Sequence, residues 1–454
     1  MSKPLRFYFA HVIGKLIRFG MRLLKRNATY LPGAITLRLD KEYLKHVSKP
    51  DKIIAVSGTN GKTTVANMIG DQLEASGKSI IHNRFGSNTV EGMVSVFLEY
   101  AGLGGGMKAD YAVLEIDERS ALKIFAGLTP DVLVMTNLFR DSYARNAHAD
   151  YIFSILDRAI PDETLLVLNA DDLISSALKP DNKRVYFSIP LLEGEAEERH
   201  SRIRDLVNCP VCHQRLEADF IRYNHIGRYH CPSCGFKSPE PDYIVKKADL
   251  KAGRAVISSG EEDAEFSLST ANIVDLYNVL SAAAALAELG FDLKTLGRQS
   301  SEVEVVKSRF NDQEAGGKRV FTMLAKACNP IASSRTFDFL RKEEGKKCVV
   351  LANSEKKHGY HNSENTAWLY DNDFSYLDDE DIVQVICCGK RYLDFALCAA
   401  LAGVDTEKIT LEEDFSRVPS VIRYDDVDTI CILKDLDTDE IVDEMAEEVK
   451  GYLL

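Results

Sequence analysis

A strand, a glycine-rich turn and a helix in immediate succession constrain this chain more than any other feature. An apolar run at residues 53–56 precedes Ser-Gly-Thr-Asn-Gly-Lys-Thr-Thr at residues 57–64, and a helix-compatible run begins at Val65. Glycines let backbone N–H groups close around phosphate oxygens, and the helix N-terminus adds partial positive charge. Lys62 can then reach the β- and γ-phosphates, and the Thr63 hydroxyl can ligate Mg²⁺.

The motif predicts an ATP site, and the alternative interpretation is a glycine turn that carries a surface lysine. The loop is one residue shorter than the usual phosphate-loop spacing, but the strand before it and the helix after it fit. The predicted nucleotide-binding residues in the loop are Gly58, Thr59, Asn60, Gly61, Lys62, Thr63 and Thr64.

Two Cys-x-x-Cys pairs form the second motif, and their spacing is typical of a zinc ribbon. Four thiolates suit a tetrahedral Zn²⁺ ion in a closed structural site, with no open position for a substrate. The predicted metal ligands are Cys209, Cys212, Cys231 and Cys234. Zinc ribbons also occur in nucleic-acid-binding proteins, and that alternative rests on the intervening basic residues: His213, Arg215, Arg222, His225, Arg228 and His230.

The two motifs carry a family resemblance. The loop at residues 58–64 resembles the nucleotide loop of the Mur ligases and folylpolyglutamate synthases. Those enzymes use ATP to convert a carboxylate into an acyl phosphate, which an amine then attacks. With its inserted four-cysteine ribbon, the chain is similar to the MurT family, the ligase subunits of lipid II isoglutaminyl synthase. That resemblance implies ATP, Mg²⁺ and structural Zn²⁺ as cofactors, and a GatD-like glutaminase subunit as partner.

The resemblance implies further site residues in the ATP-binding part. Glu115 ends a buried strand, where a carboxylate near the phosphate loop is a natural Mg²⁺ ligand. A helix cap is the alternative role for the neighbouring Asp117 and Glu118. Asn278 matches the first Asn of a family motif near the adenine, whereas Ser281 replaces the second Asn.

Three candidate residues in the last third of the chain are expected to be catalytic. Lys326 corresponds to a family lysine, with two extra residues before Asn-Pro, and is expected to stabilise phosphate charge. The family has an Asp three residues before Trp368, which orients the histidine of the partner's glutaminase triad. Here Asn365 holds that position and Glu364 lies beside it. Either residue serves the triad, or the chain is a divergent paralogue.

Composition is that of a cytoplasmic enzyme. A length of 454 residues predicts two or three domains. The net charge of −13 disfavours nonspecific binding of nucleic acid. Lys15 and Arg18 interrupt the apolar N-terminal region, so we expect no signal peptide, and no uncharged run is long enough to span a bilayer.

The N-terminal segment departs from the acidic average, because no acidic residue precedes Asp40. Basic residues recur at helical spacing: Lys15, Arg18, Arg22, Lys25 and Arg26. Apolar residues fall largely on the opposite face: Ile13, Leu16, Ile17, Leu23 and Leu24. Such a helix either lies peripherally on the inner face of the membrane, near lipid II, or docks on the protein with its charges in water.

Alternating strands and helices predict an α/β fold with a parallel sheet. We expect a basic amphipathic segment at 1–48, a Mur ligase-like ATP-binding domain at 49–304 with a ribbon at about 203–242, and a smaller α/β domain at 305–454. The resemblance implies ATP-dependent amidation of the D-glutamate α-carboxylate in the lipid II stem peptide, giving D-isoglutamine. The alternatives are a Mur or folylpolyglutamate-type ligase that adds an amino acid, and a non-catalytic paralogue.

Overall fold

The computed structural model describes residues 3–84, 87–140, 148–195, 205–269, 272–301, 310–324, 329–352, 367–434 and 438–454. The chain divides into two compact units. The first comprises Met1–Leu138, Ala149–Arg199 and Asp205–Val305, and the second Phe139–His148, His200–Arg204 and Val306–Leu454. The predicted three-part division at residues 48 and 304 stays a prediction.

The first unit is built on a nine-stranded sheet and a separate two-stranded sheet. Its strands are β1 (Lys52–Ser57), β2 (Ile80–His82), β3 (Tyr111–Glu115), β4 (Val132–Met135), β5 (Leu165–Asn169), β6 (Arg184–Ser188), β7 (Glu217–Tyr223), β8 (Ile226–His230), β9 (Tyr243–Asp249), β10 (Arg254–Ser259) and β11 (Glu262–Ser267). Its helices are α1 (Leu5–Leu23), α2 (Leu31–Leu39), α3 (Tyr43–His46), α4 (Lys62–Ala75), α5 (Val90–Tyr100), α6 (Ala121–Phe125), α7 (Ala149–Ala159), α8 (Ile273–Glu288) and α9 (Leu293–Ser300).

The large sheet has the strand order β11-β10-β9-β6-β5-β4-β1-β3-β2. Strands β2, β3, β1, β4, β5, β6 and β9 pair in parallel, and β9, β10 and β11 pair antiparallel. Nearly all residues of β1, β3, β4 and β5 are buried, as expected for parallel strands that helices cover on both faces. Parallel strands end at one edge of the sheet, so the polar residues after β1, β3, β4 and β5 meet there.

Strands β7 and β8 form the two-stranded antiparallel sheet of the four-cysteine insert. This insert has a small apolar cluster of its own, which includes Leu216, Ile221 and Tyr229. Leu173, from the segment after β5, belongs to the same cluster. The ribbon therefore packs on the segment that follows a central strand of the large sheet.

The second unit is a smaller α/β structure. Its strands are β12 (Phe310–Ala315), β13 (Lys318–Leu324), β14 (Lys347–Ala352), β15 (Ile382–Cys388), β16 (Ile409–Glu412) and β17 (Thr429–Lys434). Its helices are α10 (Pro330–Lys342), α11 (Ala367–Tyr370), α12 (Tyr392–Leu401), α13 (Val418–Val421) and α14 (Asp439–Leu453). The strand order is β12-β13-β17-β14-β15-β16, with β12 antiparallel to β13 and the other pairs parallel. The predicted α/β fold class is confirmed for both units.

Helix α1 docks on the body of the first unit, as one of the two interpretations predicted. The face that docks carries Phe7, Ala10, His11 and Gly14, all buried. Of the apolar residues that the sequence places opposite the basic ones, Leu16, Leu23 and Leu24 are exposed to solvent. Apolar residues thus lie on two opposite faces of this helix, and only one of them packs on the protein.

Candidate functional site

The phosphate loop connects the end of β1 to the start of α4, where the sequence placed it. Gly58 and Gly61 have φ values of 127° and 90°, a region that side chains rarely adopt. A Cβ atom on Gly58 would lie 2.2 Å from Thr136 Oγ1. Glycine is therefore required here by backbone conformation and by close packing, and the turn opens directly into the helix N-terminus.

The segment after β4 holds the loop in shape. The Asn60 amide donates to Asn137 Oδ1 (3.0 Å), and the Thr59 amide donates to the Asn137 carbonyl (2.9 Å). Thr136 Oγ1 and Asn137 Nδ2 donate to the Asn60 carbonyl (2.7 and 3.1 Å). These bonds fix the loop backbone before any ligand binds, which favours a preorganised anion site.

Lys62, the first residue of α4, reaches back over the loop. Its Nζ lies 2.8 Å from Glu118 Oε1 and also donates to the Gly58 carbonyl. Burial raises the pKa of Glu118, and the Lys62 charge opposes that rise. Of the two acids expected as alternative caps, Asp117 does cap the 3₁₀ turn Glu118–Ser120 by accepting from the Arg119 amide (3.1 Å). Glu118 instead forms the ion pair.

Thr63 and Glu115 come together beside the lysine. Thr63 Oγ1 donates to Glu115 Oε2 (2.8 Å), and Asn88 Nδ2 donates to Glu115 Oε1 (3.0 Å). Asn83 Oδ1 accepts from the Glu115 amide, and Asn83 Nδ2 donates to the Glu115 carbonyl (2.8 Å each). A hydroxyl and a carboxylate at the mouth of a phosphate loop are a fitting donor set for Mg²⁺, which takes few protein oxygens along with phosphate.

Asn278, on α8, faces the same loop. A Cβ atom on Gly61 would lie 2.5 Å from Asn278 Oδ1, so the side chain lies directly against the turn. The Ser281 hydroxyl donates to the Asn278 carbonyl (2.9 Å) and lies buried in the helix. The structure thus brings Asn278 to the phosphate loop, and its contact with adenine stays a prediction.

The four predicted zinc ligands form a compact cluster. Their sulfur atoms all lie within 4.8 Å of one another, with 3.6 Å between Cys209 and Cys234 and 3.4 Å between Cys212 and Cys231. Sulfurs around a tetrahedral Zn²⁺ are about 3.8 Å apart. The Val211 amide donates to Cys209 Sγ (3.4 Å), as in a metal-binding knuckle. The donor set therefore fits Zn²⁺.

One buried arginine connects the ribbon to α8. Arg222 on β7 donates from Nη1 to the Tyr277 hydroxyl (2.6 Å), which donates to Asp171 Oδ2 (2.7 Å). It also forms an ion pair with Glu195 (2.9 Å). Burial lowers the pKa of Arg222, but Tyr277, Glu195 and Asp171 together raise it above its usual value. Tyr277 immediately precedes Asn278, so this network connects the ribbon to the residue that faces the phosphate loop.

A second contact between the ribbon and the sheet edge is made by His225. Its Nε2 lies 3.1 Å from Asp172 Oδ1, and the other Asp172 oxygen accepts from the Leu138 amide (2.7 Å). Arg222 and His225 are two of the basic residues on which a nucleic-acid-binding role for the ribbon would depend. Both are instead buried against the first unit, so neither is available to an external phosphate backbone.

The three expected catalytic residues, Lys326, Glu364 and Asn365, lie outside the described residues. Sequence reasoning missed two relationships in the described part, the pairing of Lys62 with Glu118 and the anchoring of Tyr277 by Arg222. A signal existed for the first, since Glu118 follows a strand that ends beside the phosphate loop. For the second, a basic residue in an insert gives no sign that it will be buried.

Comparison with known proteins decides the family. The Mur ligase middle domain matches residues 56–204, and the MurT ligase C-terminal domain matches residues 324–436. The chain is 30% identical over 92% of its length to the lipid II isoglutaminyl synthase (glutamine-hydrolyzing) subunit MurT of Staphylococcus aureus strain COL, and covers 93% of that protein. The chain belongs to the MurT family. The predicted membership of the MurT family and the predicted class of enzyme, an ATP-dependent Mur-type ligase, are confirmed.

Solved structures support the Mur ligase-like fold of this MurT-family chain. A pseudomurein peptide ligase type C from Methanothermus fervidus matches with a TM-score of 0.65 and 22% identity, over 90% of this chain and 81% of that one. The MurF ligase from Thermotoga maritima in complex with ADP matches with a TM-score of 0.60 and 16% identity, over 93% of this chain and 85% of that one. Among the described residues, no helix is both long and apolar enough to cross a membrane.

Proposed function

We propose that this chain is the ligase subunit of a lipid II isoglutaminyl synthase, which uses ATP to amidate the D-glutamate α-carboxylate of the stem peptide. The observation that carries the proposal is the convergence of Lys62, Thr63 and Glu115 at a preorganised phosphate loop in a chain of the MurT family. The Staphylococcus aureus relative is named for this activity.

The phosphate loop supplies the ATP site. Backbone amides of residues 58–64 and the N-terminus of α4 bind the phosphate oxygens, and the Lys62 ammonium contacts the β- and γ-phosphates. Thr63 and Glu115, held 2.8 Å apart, are the protein ligands of Mg²⁺, which neutralises phosphate charge when bound. The bound ADP of the MurF ligase with the same fold is consistent with this assignment.

The reaction proceeds in two steps. One oxygen of the D-glutamate α-carboxylate attacks the γ-phosphorus of ATP, the bond to the β-phosphate breaks, and ADP leaves. Ammonia then attacks the acyl carbon, loses a proton, and displaces phosphate, which carries away the oxygen that came from the carboxylate. Phosphorylation is needed because phosphate is a far better leaving group than hydroxide. Lys326 is assigned to stabilise the phosphate charge that develops during the first step.

A glutaminase of the GatD type supplies the ammonia. The Staphylococcus aureus relative is named as a subunit of a glutamine-hydrolysing enzyme, which supports a partner with that activity. Asn365 or Glu364 orients the histidine of the partner's triad, because an orienting residue fixes the tautomer and direction of the ring. The four-cysteine ribbon holds Zn²⁺ in a structural role, and the chain acts on lipid II at the membrane surface.

The proposal is tested with lipid II, ATP, Mg²⁺ and the purified glutaminase partner, with either glutamine or free ammonia as the nitrogen source. We expect D-glutamate to be converted to D-isoglutamine with both nitrogen sources. Mass spectrometry of the stem peptide measures this conversion. Asn365→Ala or Glu364→Ala should depress the glutamine-dependent reaction and leave the ammonia-dependent reaction unchanged. Product formation with free amino acids but not with ammonia would show an amino-acid-adding ligase instead. No product from any donor, with ATP still bound, would show a non-catalytic paralogue.

A further inference from the structure

We propose that the outward face of α1 is a docking surface for an anionic lipid bilayer. Six apolar side chains form one stripe along this face, and each of these residues is between 45% and 88% exposed. They follow one another at steps of three and four residues, so that they stay on one side of the helix: Leu5, Phe9, Val12, Leu16, Phe19 and Leu23. At a rise of 1.5 Å per residue the stripe is about 27 Å long.

The opposite face of α1 fixes the direction in which the stripe points. His11 Nδ1 lies 2.7 Å from the Tyr43 hydroxyl, and His11 Nε2 lies 2.8 Å from the Gly102 carbonyl. A Cβ atom on Gly14 would lie 2.2 Å from Thr36 Oγ1, which shows how closely α1 crosses α2. The helix therefore cannot rotate to bury its stripe without breaking these contacts, and the stripe remains on the surface of the first unit.

The charges around the stripe favour an anionic surface. Residues 1–39 contain eight Lys and Arg and no Asp or Glu, in a chain whose net charge is −13. Three of the eight form ion pairs with carboxylates of the first unit, Arg6 with Asp40 and Glu42, and Arg18 and Arg22 with Glu99. Lys25 and Arg26 lie just past Leu24, which caps the helix, and both are exposed. Their amides donate to the carbonyls of Arg22 and Met21, which holds them at the end of the helix. Phe and Leu side chains flanked by Lys and Arg are the composition of helices that lie in the membrane interface, where anionic lipids attract the cations.

The same charges disfavour a second copy of this chain as the occupant. Pairing two stripes would bring together two helices that are each followed by the exposed cations Lys25 and Arg26, and like charges at an interface oppose association. An acidic protein surface is the remaining occupant, and the test below separates it from lipid.

The test uses the full chain and vesicles that contain no lipid II, so its outcome is independent of the proposed amidation. Vesicles of phosphatidylcholine alone are compared with equimolar phosphatidylcholine and phosphatidylglycerol in a sedimentation assay. We expect binding to the anionic vesicles that weakens with added salt. Phe9→Ser with Phe19→Ser should reduce the partition coefficient by about tenfold or more, because both rings lie in the stripe. Lys25→Gln with Arg26→Gln should weaken binding to anionic vesicles only.

A matched control replaces two exposed leucines elsewhere, Leu401→Gln with Leu411→Gln, and should leave vesicle binding unchanged. The midpoint of urea unfolding should be the same for the stripe variant and the native chain, which shows that the variant is folded. The proposal is overturned if the native chain does not bind anionic vesicles, or if the stripe variant binds them as well as the native chain does. Loss of self-association or of the glutaminase partner in the stripe variant, with vesicle binding unchanged, would identify a protein interface instead.

Discussion

Lys62 Nζ and Glu118 Oε1 lie 2.8 Å apart at the phosphate loop, and the Glu118 side chain is almost fully buried. The lysine that is to contact ATP phosphates thus also neutralises a buried carboxylate. Its removal affects both the binding of phosphate and the protonation of Glu118, whose pKa burial already raises. A single lysine substitution therefore mixes two effects, and a paired substitution can separate them.

We predict that Lys62→Ala abolishes ATP hydrolysis and lowers the free energy of unfolding by about 2 kcal/mol, because it leaves Glu118 buried without this charge partner. Lys62→Ala combined with Glu118→Gln should regain most of the stability and none of the turnover. ATPase assays and urea unfolding of both variants measure this. ATP hydrolysis retained by Lys62→Ala would refute the assignment of the ATP site.

The Arg222 network gives a prediction on α8. Tyr277→Phe removes the hydroxyl that accepts from Arg222 and donates to Asp171, so it should lower the free energy of unfolding by about 2 kcal/mol. Because Tyr277 precedes Asn278, we also expect a severalfold weaker affinity for ATP, measured by calorimetry. Tyr151→Phe is the control, since Tyr151 is exposed on α7. Equal affinities for ATP in the two variants would show that the Arg222 network does not influence the nucleotide site.

The metal prediction concerns the ribbon. Purified protein should contain about one Zn²⁺ per chain, and Cys231→Ser should lower that content, since four ligands define one closed site. Metal binding and folding of small zinc domains are coupled, so limited proteolysis should cut the ribbon of the variant faster than that of the native chain. Cys398→Ser, at a buried cysteine in the second unit, should leave zinc content unchanged. Carefully prepared native protein without zinc would refute the site.

His82 predicts a pH dependence of stability. Burial lowers the pKa of His82 from 6.5 to about 4, opposed by its hydrogen bond to the Ala66 carbonyl. Between these values the unfolded chain binds a proton that the folded chain does not, so stability falls as pH falls through this range. At pH 5 the loss should be about 2 kcal/mol relative to pH 7. Urea unfolding at pH 7 and pH 5 measures this loss, and in His82→Gln the loss should be smaller by about 2 kcal/mol. An equal loss in the variant and the native chain would show that other groups cause it.

Much of the fold and of the site could be read from the sequence because local signals carry it. The apolar run before Gly58, the Gly-Lys-Thr at residues 61–63 and the four cysteines each specify a conformation or a ligand set with residues close in sequence. The structure places these residues where the motifs predicted. Glu115 was expected near the loop because parallel strands end at a common edge, and its carboxylate does lie against Thr63.

The rest depended on contacts between residues far apart in the chain. An arginine in an insert is expected to be exposed, since arginine is seldom fully buried. Only the tertiary structure shows that Glu195, Asp171 and Tyr277 surround Arg222. The sequence names Leu16 and Leu23 as apolar residues of α1 but does not show that their side of the helix faces outward. A helix with apolar residues on two sides gives no periodic signal for which side packs on the protein, and the contacts of His11 and Gly14 decide it.

If this chain activates a carboxylate by phosphorylation, an oxygen atom of that carboxylate must leave with the phosphate, and an isotope transfer experiment detects it. Lipid II whose D-glutamate α-carboxylate carries heavy-isotope oxygen is incubated with the complex, ATP, Mg²⁺ and ammonia, and the released phosphate is analysed by mass spectrometry. We expect one heavy oxygen in each phosphate released with amide formation, and none with Lys62→Ala. Amide formed by the native complex with only unlabelled phosphate would show that no carboxylate oxygen is transferred, and phosphorylation of the carboxylate would be refuted.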